Sequence, residues 1–162
     1  MLLTGNVQID RDHLERPGNV IIDGAANPDL RAALARWAAA GIEGGNHLWM
    51  QISHAGRQTP ITVNKTPKAP SAVKLGLPGG QFGEPIALNE DEILNLVSRF
   101  AAAAASARDT GFTGVQLHAA HGYLLSSFLN PLANIREDSW GGSLENRARF
   151  LLEAVKDRKS VV

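Results

Sequence analysis

The chain has 162 residues, and its 16 lysines and arginines balance 16 aspartates and glutamates, so the formal net charge is zero. This balance gives no basis for a nucleic-acid or anionic-membrane partner. The absence of cysteine excludes disulfides, thiolate metal sites and cysteine nucleophiles. No apolar run approaches the roughly 18 residues of a membrane span, and the first residues lack a secretory signal pattern. Together these features predict a globular cytoplasmic protein.

Short apolar runs alternate with amphipathic segments along the chain. In chain order, the predicted elements are a strand at Leu2–Thr4, a helix at Asp29–Ala40, a strand at His47–Ile52, a helix at Glu90–Asp109, a strand at Phe112–Leu117 and a helix that begins after Ser143. Asn89 and Glu92 have the spacing of a capping box at the start of the second helix. Runs that are apolar on both faces are typical of a parallel sheet covered by helices.

The segment Thr59–Ala87 interrupts this alternation. It is rich in proline and glycine, and its apolar residues show no clear helical or strand period. A loop of this length inside a compact domain is usually functional or mobile. Because the strand–helix pattern resumes behind it, we interpret the segment as an insertion within one domain.

Two architectures fit this order of elements. One is a doubly wound parallel sheet, and the other is part of a (β/α)8 barrel, which normally needs about 250 residues. Both place their chemistry at the carboxyl ends of the strands. The polar residues that follow the three predicted strands are Thr4–Asn6, Gln51–His54 and His118–His121.

The strongest candidates for chemistry are His118, His121 and Tyr123, which follow the third predicted strand. Two imidazoles there could donate hydrogen bonds to a carbonyl or nitro oxygen, and a phenol could deliver a proton. A pair of histidines could also bind zinc, although no HExxH motif accompanies them. A third interpretation is that His118 is a satisfied strand-end histidine and Tyr123 belongs to the core.

Other polar residues at the predicted strand ends carry weaker signals. Gln51 has an amide that could contact the O and N–H edge of a flat heterocycle, or be satisfied by backbone. Thr4 stands at the end of the first strand, where a polar residue often only caps the strand. Arg57 could bind a phosphate or simply a carboxylate.

With these residues in place, the chain resembles the old yellow enzyme family of FMN-dependent NAD(P)H oxidoreductases. The resemblance is carried by four segments, LLTGNVQIDRDHLERPGNV, WMQISHAGRQ, GVQLHAAHGYLLSSFLNPLANIRED and SWGGSLENRARFLLE. It implies a (β/α)8 barrel with FMN at the strand ends, and the chain would cover roughly strands two to four. Gln51 and Thr4 would contact the flavin, His118 and His121 would bind the substrate's activating oxygen, and Tyr123 would be the proton donor.

The resemblance also implies departures from a full family member. An earlier flavin-lining strand and the later loops that bind the FMN phosphate have no counterpart in this sequence. We therefore expect residues 1–162 to form a single partial FMN-binding domain, truncated at both ends.

The implied activity is reduction of activated alkenes, such as enones, by NAD(P)H through FMN. A small-molecule substrate is the expected partner, no metal is expected, and association into a homo-oligomer is left open. The alternatives are an inactive partial barrel that serves only binding or structure, and a metal-dependent hydrolase. The isolated chain is expected to bind FMN weakly or not at all.

Overall fold

The computed structural model describes residues 1–24 and 27–159. Its elements, in chain order, are β1 (Leu2–Gln8), β2 (Val20–Ile21), α1 (Pro28–Ile42), β3 (Leu48–Ser53), β4 (Lys68–Ala69), β5 (Ile86–Ala87), α2 (Glu90–Asp109), β6 (Gly114–Leu117), α3 (Leu124–Leu129) and α4 (Leu144–Lys159), with one 3-10 turn at Gly56–Gln58. All three predicted strands and all three predicted helices are present.

The main sheet has the strand order β2-β1-β3-β6, and every pairing in it is parallel. The helices α1 and α2 carry the chain from β1 to β3 and from β3 to β6. Such crossovers are the repeating unit of α/β folds with a parallel sheet. The predicted α/β class is confirmed.

The strand register gives the sheet one apolar face and one polar face. Val7 pairs with Ile52, and Ile52 pairs with Leu117, so these apolar side chains share the face that packs against the helices. Asn6 pairs with Gln51, and Gln51 pairs with Gln116, on the opposite face. The expectation that the strands are apolar on both faces is therefore wrong for the polar face, which carries Asn6, Gln51 and Gln116.

A β-bulge explains why β1 extends beyond the predicted Thr4. Between the pairs that Leu3 and Asn6 make with β3, the register shifts by one residue. Gly5 has φ of +74°, and the Thr4 hydroxyl accepts from the Gln51 backbone N–H at 3.0 Å and donates to the Gly5 carbonyl at 2.7 Å. The bulge therefore brings Asn6 level with Gln51 on the polar face.

Replacing Gly5 with alanine is expected to destabilise the fold without a steric clash. A Cβ at this position would meet no heavy atom within 4 Å, but the left-handed backbone disfavours any L side chain. We expect a loss of about 1 kcal/mol in the free energy of unfolding, measured by urea denaturation. Gly76→Ala is the control, because Gly76 has open space and no positive φ. Equal effects of the two substitutions would contradict the backbone argument.

Helix α2 has the bounds that its sequence predicts. The Asn89 side chain accepts from the Glu92 backbone N–H at 2.8 Å, and the Glu92 carboxylate accepts from the Asn89 N–H at 2.9 Å, so the capping box is complete. Its buried face includes Phe100, which packs edge-on against Phe150 of α4. None of the helices in the described residues is long and apolar enough to cross a membrane.

The long segment between β3 and α2 is more ordered than the sequence predicts. Strands β4 and β5 pair in parallel, and Pro60 forms an antiparallel bridge with Phe82. The Asn64 side chain donates to the Asp12 carbonyl at 3.2 Å. This segment therefore contacts the loop that follows β1.

Candidate functional site

The three rings predicted to carry chemistry form one cluster at the carboxyl end of β6. His118 follows the strand directly, and its N–H donates to the Ile52 carbonyl at 2.9 Å. Its ring centroid lies 5.1 Å from that of His121 and 4.8 Å from that of Tyr123. The sequence prediction that these side chains lie together agrees with the structure.

A tight turn brings Tyr123 back toward His118. His121 has φ of +59° and Gly122 has φ of +78°, so two successive residues adopt the left-handed region. For a residue other than glycine this conformation is uncommon, and it is frequent at functional sites. The Gln58 side chain fixes the turn by donating to the His121 carbonyl at 2.6 Å.

His118 is held as a neutral imidazole. Burial, followed by the neighbouring His121, lowers its pKa below the usual value. Its Nδ1 accepts a hydrogen bond from the Ala120 backbone N–H at 3.3 Å, so the proton of the neutral ring resides on Nε2. His118 can therefore donate through Nε2 to an acceptor oxygen at neutral pH.

The phenol of Tyr123 is bonded to a residue that the sequence analysis did not select. Its hydroxyl donates to the Glu15 carboxylate at 2.8 Å. Burial and this carboxylate raise the pKa of Tyr123 to about 12. Glu15 comes from the loop after β1, so the bond joins the ends of two strands. Tyr123 therefore has a polar partner, which differs from the interpretation that it is only a core residue.

Gln51, one of the two residues expected to contact a flavin, lies on the polar face of the sheet. The Gln51 side chain donates to the Gln116 side chain at 2.6 Å, and both are partly exposed. Two amides offer the donors and acceptors that suit the O and N–H edge of a flavin ring, so this donor set fits FMN. The Thr4 hydroxyl is used in the β1 bulge, and its contact with a cofactor stays a prediction.

A second polar cluster, which we call the Asp10 cluster, consists of Asp10, His13 and His54. Asp10 Oδ2 lies 3.2 Å from His13 Nδ1 and 3.7 Å from His54 Nε2. The two imidazoles stack with centroids 4.5 Å apart, and Arg99 of α2 approaches the same carboxylate oxygen at 3.4 Å. Sequence analysis placed His54 among the polar strand-end residues but did not connect it with Asp10.

The residue types of the Asp10 cluster could bind a metal ion, since one donor atom from each residue lies within 4.8 Å of the others. The hydrogen bonds that the two histidines accept argue against metal binding. His13 Nε2 accepts from the Lys68 N–H at 2.9 Å, and His54 Nδ1 accepts from the Gly56 N–H at 3.0 Å. The nitrogens that face Asp10 therefore carry the protons, whereas a ligating histidine normally donates through its other nitrogen.

Comparison with known proteins decides the family. Residues 38–162, more than half of the chain, match the model of the NADH:flavin oxidoreductase / NADH oxidase family. The chain belongs to this family. It is 43% identical over 156 residues to the NADH-dependent flavin oxidoreductase nadA of Aspergillus parasiticus, covering 94% of this chain and 35% of that protein. It is 36% identical over 159 residues to the NADPH dehydrogenase of Bacillus subtilis, covering 89% of this chain and 46% of the relative.

Solved structures support the same family assignment. The old yellow enzyme homologue from Zymomonas mobilis superimposes with a TM-score of 0.87 at 30% identity, covering 99% of this chain and 46% of that one. Morphinone reductase in complex with tetrahydroNAD gives a TM-score of 0.88 at 30% identity, with 99% and 48% covered. These neighbours confirm the predicted (β/α)8 class, of which this chain is a partial barrel, and the predicted resemblance to old yellow enzyme.

The family also fixes the kind of cofactor chemistry. Its members are flavin oxidoreductases that use NADH or NADPH, which agrees with the expected FMN and NAD(P)H. The chain spans less than half the length of the relatives described above. The activity of the whole protein and the roles of individual site residues therefore belong to the proposal that follows.

Proposed function

We propose that this chain belongs to an FMN-dependent enzyme that uses NAD(P)H to reduce activated alkenes such as enones. The observation that carries the proposal is the ring cluster of His118, His121 and Tyr123 at the end of β6. It places a neutral imidazole donor beside a protonated phenol, next to the amides of Gln51 and Gln116. Electron-poor alkenes conjugated to oxygen need both an oxygen-binding donor and a proton donor.

The residues of this chain have separate roles in the proposal. Bound FMN, reduced by NAD(P)H, supplies the hydride chemistry. His118 and His121 donate hydrogen bonds to the substrate oxygen, where negative charge develops during reduction. Tyr123 gives its hydroxyl proton to the α-carbon of the substrate. Gln51 binds the flavin ring from the polar face of the sheet, and Thr4 contributes a contact from the β1 bulge.

The direct test is to load the whole protein to which this chain belongs with FMN and to assay it. Bound oxidised flavin absorbs near 450 nm, and turnover is followed as NADPH oxidation on addition of cyclohexenone. The proposal expects stoichiometric flavin and oxidation that depends on the enone. Flavin binding with NADPH oxidation that no enone accelerates would contradict alkene reduction, although the family assignment would stand.

The role of Gln51 gives a separate prediction. In the whole protein, Gln51→Ala is expected to weaken FMN binding about tenfold, because the variant loses one amide hydrogen bond of about 1 kcal/mol or slightly more. The dissociation constant is measured by quenching of flavin fluorescence. Gln81→Ala is the matched control, since Gln81 is exposed and lies in the long segment before β5. Unchanged FMN affinity in Gln51→Ala would remove this residue from the site.

The geometry of the sheet favours one alternative for the 162-residue chain by itself. Within the described residues, β2 and β6 form the two edges of an open sheet, whereas a closed barrel has no edges. Open edges promote self-association, and a partial barrel could serve only binding or structure. Size exclusion with FMN titration tests this alternative. A monomer that binds FMN stoichiometrically and turns over would exclude it.

A further inference from the structure

Glu15 is built into the ring cluster from a distant part of the sequence. Its carboxylate accepts the hydrogen bond of the Tyr123 hydroxyl at 2.8 Å, across 108 residues of chain. The same carboxylate also accepts from the Asn6 side chain and, at 3.3 Å, from the Asn19 side chain. Three donors from three positions therefore fix the orientation of one partly buried carboxylate.

The hydrogen bonds also keep Glu15 ionised. Burial opposes the charge, but bonds from Tyr123, Asn6 and Asn19 hold the pKa of Glu15 below its ordinary value. Glu15 is therefore an acceptor at neutral pH and not a source of protons. Its partner in this bond, the Tyr123 hydroxyl, must be the donor.

We propose that Glu15 is the positioning residue of Tyr123, holding the phenol by a charge-assisted hydrogen bond and keeping it protonated in alkaline solution. This inference rests on the proposed function, in which Tyr123 is the proton donor. Glu15 itself does not contact the reacting atoms, and it acts only through Tyr123. A hydrogen bond to a carboxylate is roughly twice as strong as a bond between neutral groups.

The charged and titratable groups around the phenol come from two loops. Glu15 and Arg16 belong to the loop after β1, and the Arg16 guanidinium lies 3.8 Å from the other Glu15 oxygen. His118 and His121 belong to the loop after β6, with ring centroids 4.8 and 6.4 Å from the Tyr123 ring. Burial disfavours the phenolate, and among these neighbours the Glu15 carboxylate raises the pKa of Tyr123 further.

The proton step balances as follows. The Tyr123 hydroxyl turns its one hydrogen from Glu15 to the substrate, the O–H bond breaks, and a C–H bond forms at the substrate α-carbon. The phenolate then takes a proton from water. The Glu15 carboxylate repels the phenolate, so the phenol is restored as soon as the product forms. Without this carboxylate, burial alone would raise the pKa of the phenol, so the phenol would ionise at a lower pH than in the wild type and the proton donor would be lost there.

The first test needs neither flavin nor turnover. Tyr123 is the only tyrosine in the chain, so absorbance of tyrosinate at 295 nm reports on this residue alone. The wild-type midpoint is expected near pH 12, and Glu15→Gln is expected to move it down by at least one pH unit. Circular dichroism at each pH confirms that the protein is folded.

Three further variants make the titration decisive. Tyr123→Phe should abolish the signal, and Glu43→Gln, which changes an exposed carboxylate outside the site, should leave the midpoint unchanged. Glu15→Asp should retain part of the shift, because the negative charge remains. An unchanged midpoint in folded Glu15→Gln would overturn the inference, whatever the protein catalyses.

The second test links Glu15 to catalysis in the FMN-loaded protein. The wild-type rate of enone reduction by the reduced protein should not fall through loss of the Tyr123 proton below pH 11. In Glu15→Gln it should fall about tenfold per pH unit above the lower midpoint that the tyrosinate titration of this variant gives. A shifted titration with identical rate profiles would overturn the positioning role. A shifted titration in a protein that reduces no enone would refute the proposed function while the coupling of Glu15 to Tyr123 stands.

Discussion

Replacing both His118 and His121 with alanine is expected to lower kcat/KM for enone reduction by about a hundredfold. Removing a single preorganised donor to a developing oxyanion costs about 10²–10³ in rate in well-studied enzymes. The rate of flavin reduction by NAD(P)H should fall far less, because that step does not place negative charge on a substrate oxygen. Stopped-flow absorbance at 450 nm measures the two half-reactions separately.

Comparing the two half-reactions distinguishes a loss of substrate polarisation from a folding defect, because a folding defect would slow both. His47→Ala is the control, because His47 is exposed at the amino end of β3, opposite the ring cluster. A paired His118→Asn and His121→Asn variant should recover part of the lost rate, since an amide can also donate to oxygen. Equal slowing of both half-reactions in the alanine variant would indicate a folding or flavin-binding defect and contradict the role in substrate polarisation.

Local chemistry explains why the second helix could be predicted to the residue. The capping box of Asn89 and Glu92 is formed within four consecutive residues, so its start needs no tertiary information. The six-residue helix α3 was missed, because Leu124–Leu129 is too short to show a helical period.

The length of β1 could not be predicted from its pattern. Gly5, Asn6 and Gln8 resemble a loop because glycine and polar residues usually end a strand. In the structure these residues continue the strand. The bulge accommodates Gly5, and the polar side chains lie on the polar face of the sheet. Alternation of polar and apolar residues predicts a strand only when one face of the sheet packs on an apolar core and the other does not.

The candidate site was predictable only where its residues are close in sequence. His118, His121 and Tyr123 lie within six residues, and a strand followed by polar rings is visible by inspection. Glu15 lies 108 residues from Tyr123, and its proximity depends on β1 and β6 lying on either side of β3. The one signal that could have identified it is the run of charged residues directly after β1.

The Asp10 cluster makes the stability of the fold depend on pH. Burial lowers the pKa of His54 to about 4, from an ordinary 6.5. Burial also opposes the charge of Asp10, but the neighbouring His13 and His54 imidazoles and the Asp12 N–H hold its pKa well below the ordinary value. Between pH 6.5 and 4, an unfolded chain therefore protonates His54 while the folded chain keeps it neutral, and Asp10 is ionised in the folded state throughout.

The free energy of unfolding is consequently expected to fall as the pH decreases through this window. A shift of about 2.5 pH units in one group corresponds to about 3 kcal/mol. Urea denaturation at pH 7, 5.5 and 4.5 measures the slope. His118, whose pKa is also lowered, contributes a smaller change of the same sign.

The variant His54→Gln separates the contribution of His54 from the rest. A glutamine amide does not titrate, and it can accept from the Gly56 N–H as the neutral imidazole does. Its N–H group can point toward Asp10 Oδ2, which lies 3.7 Å from His54 Nε2 in the wild type. The variant is expected to be less stable than wild type at pH 7 and to lose most of the pH dependence between 6.5 and 4. His47→Gln should keep the wild-type slope, because His47 is exposed. An undiminished slope in His54→Gln would show that another group carries the acid sensitivity and that the buried imidazole is not its source.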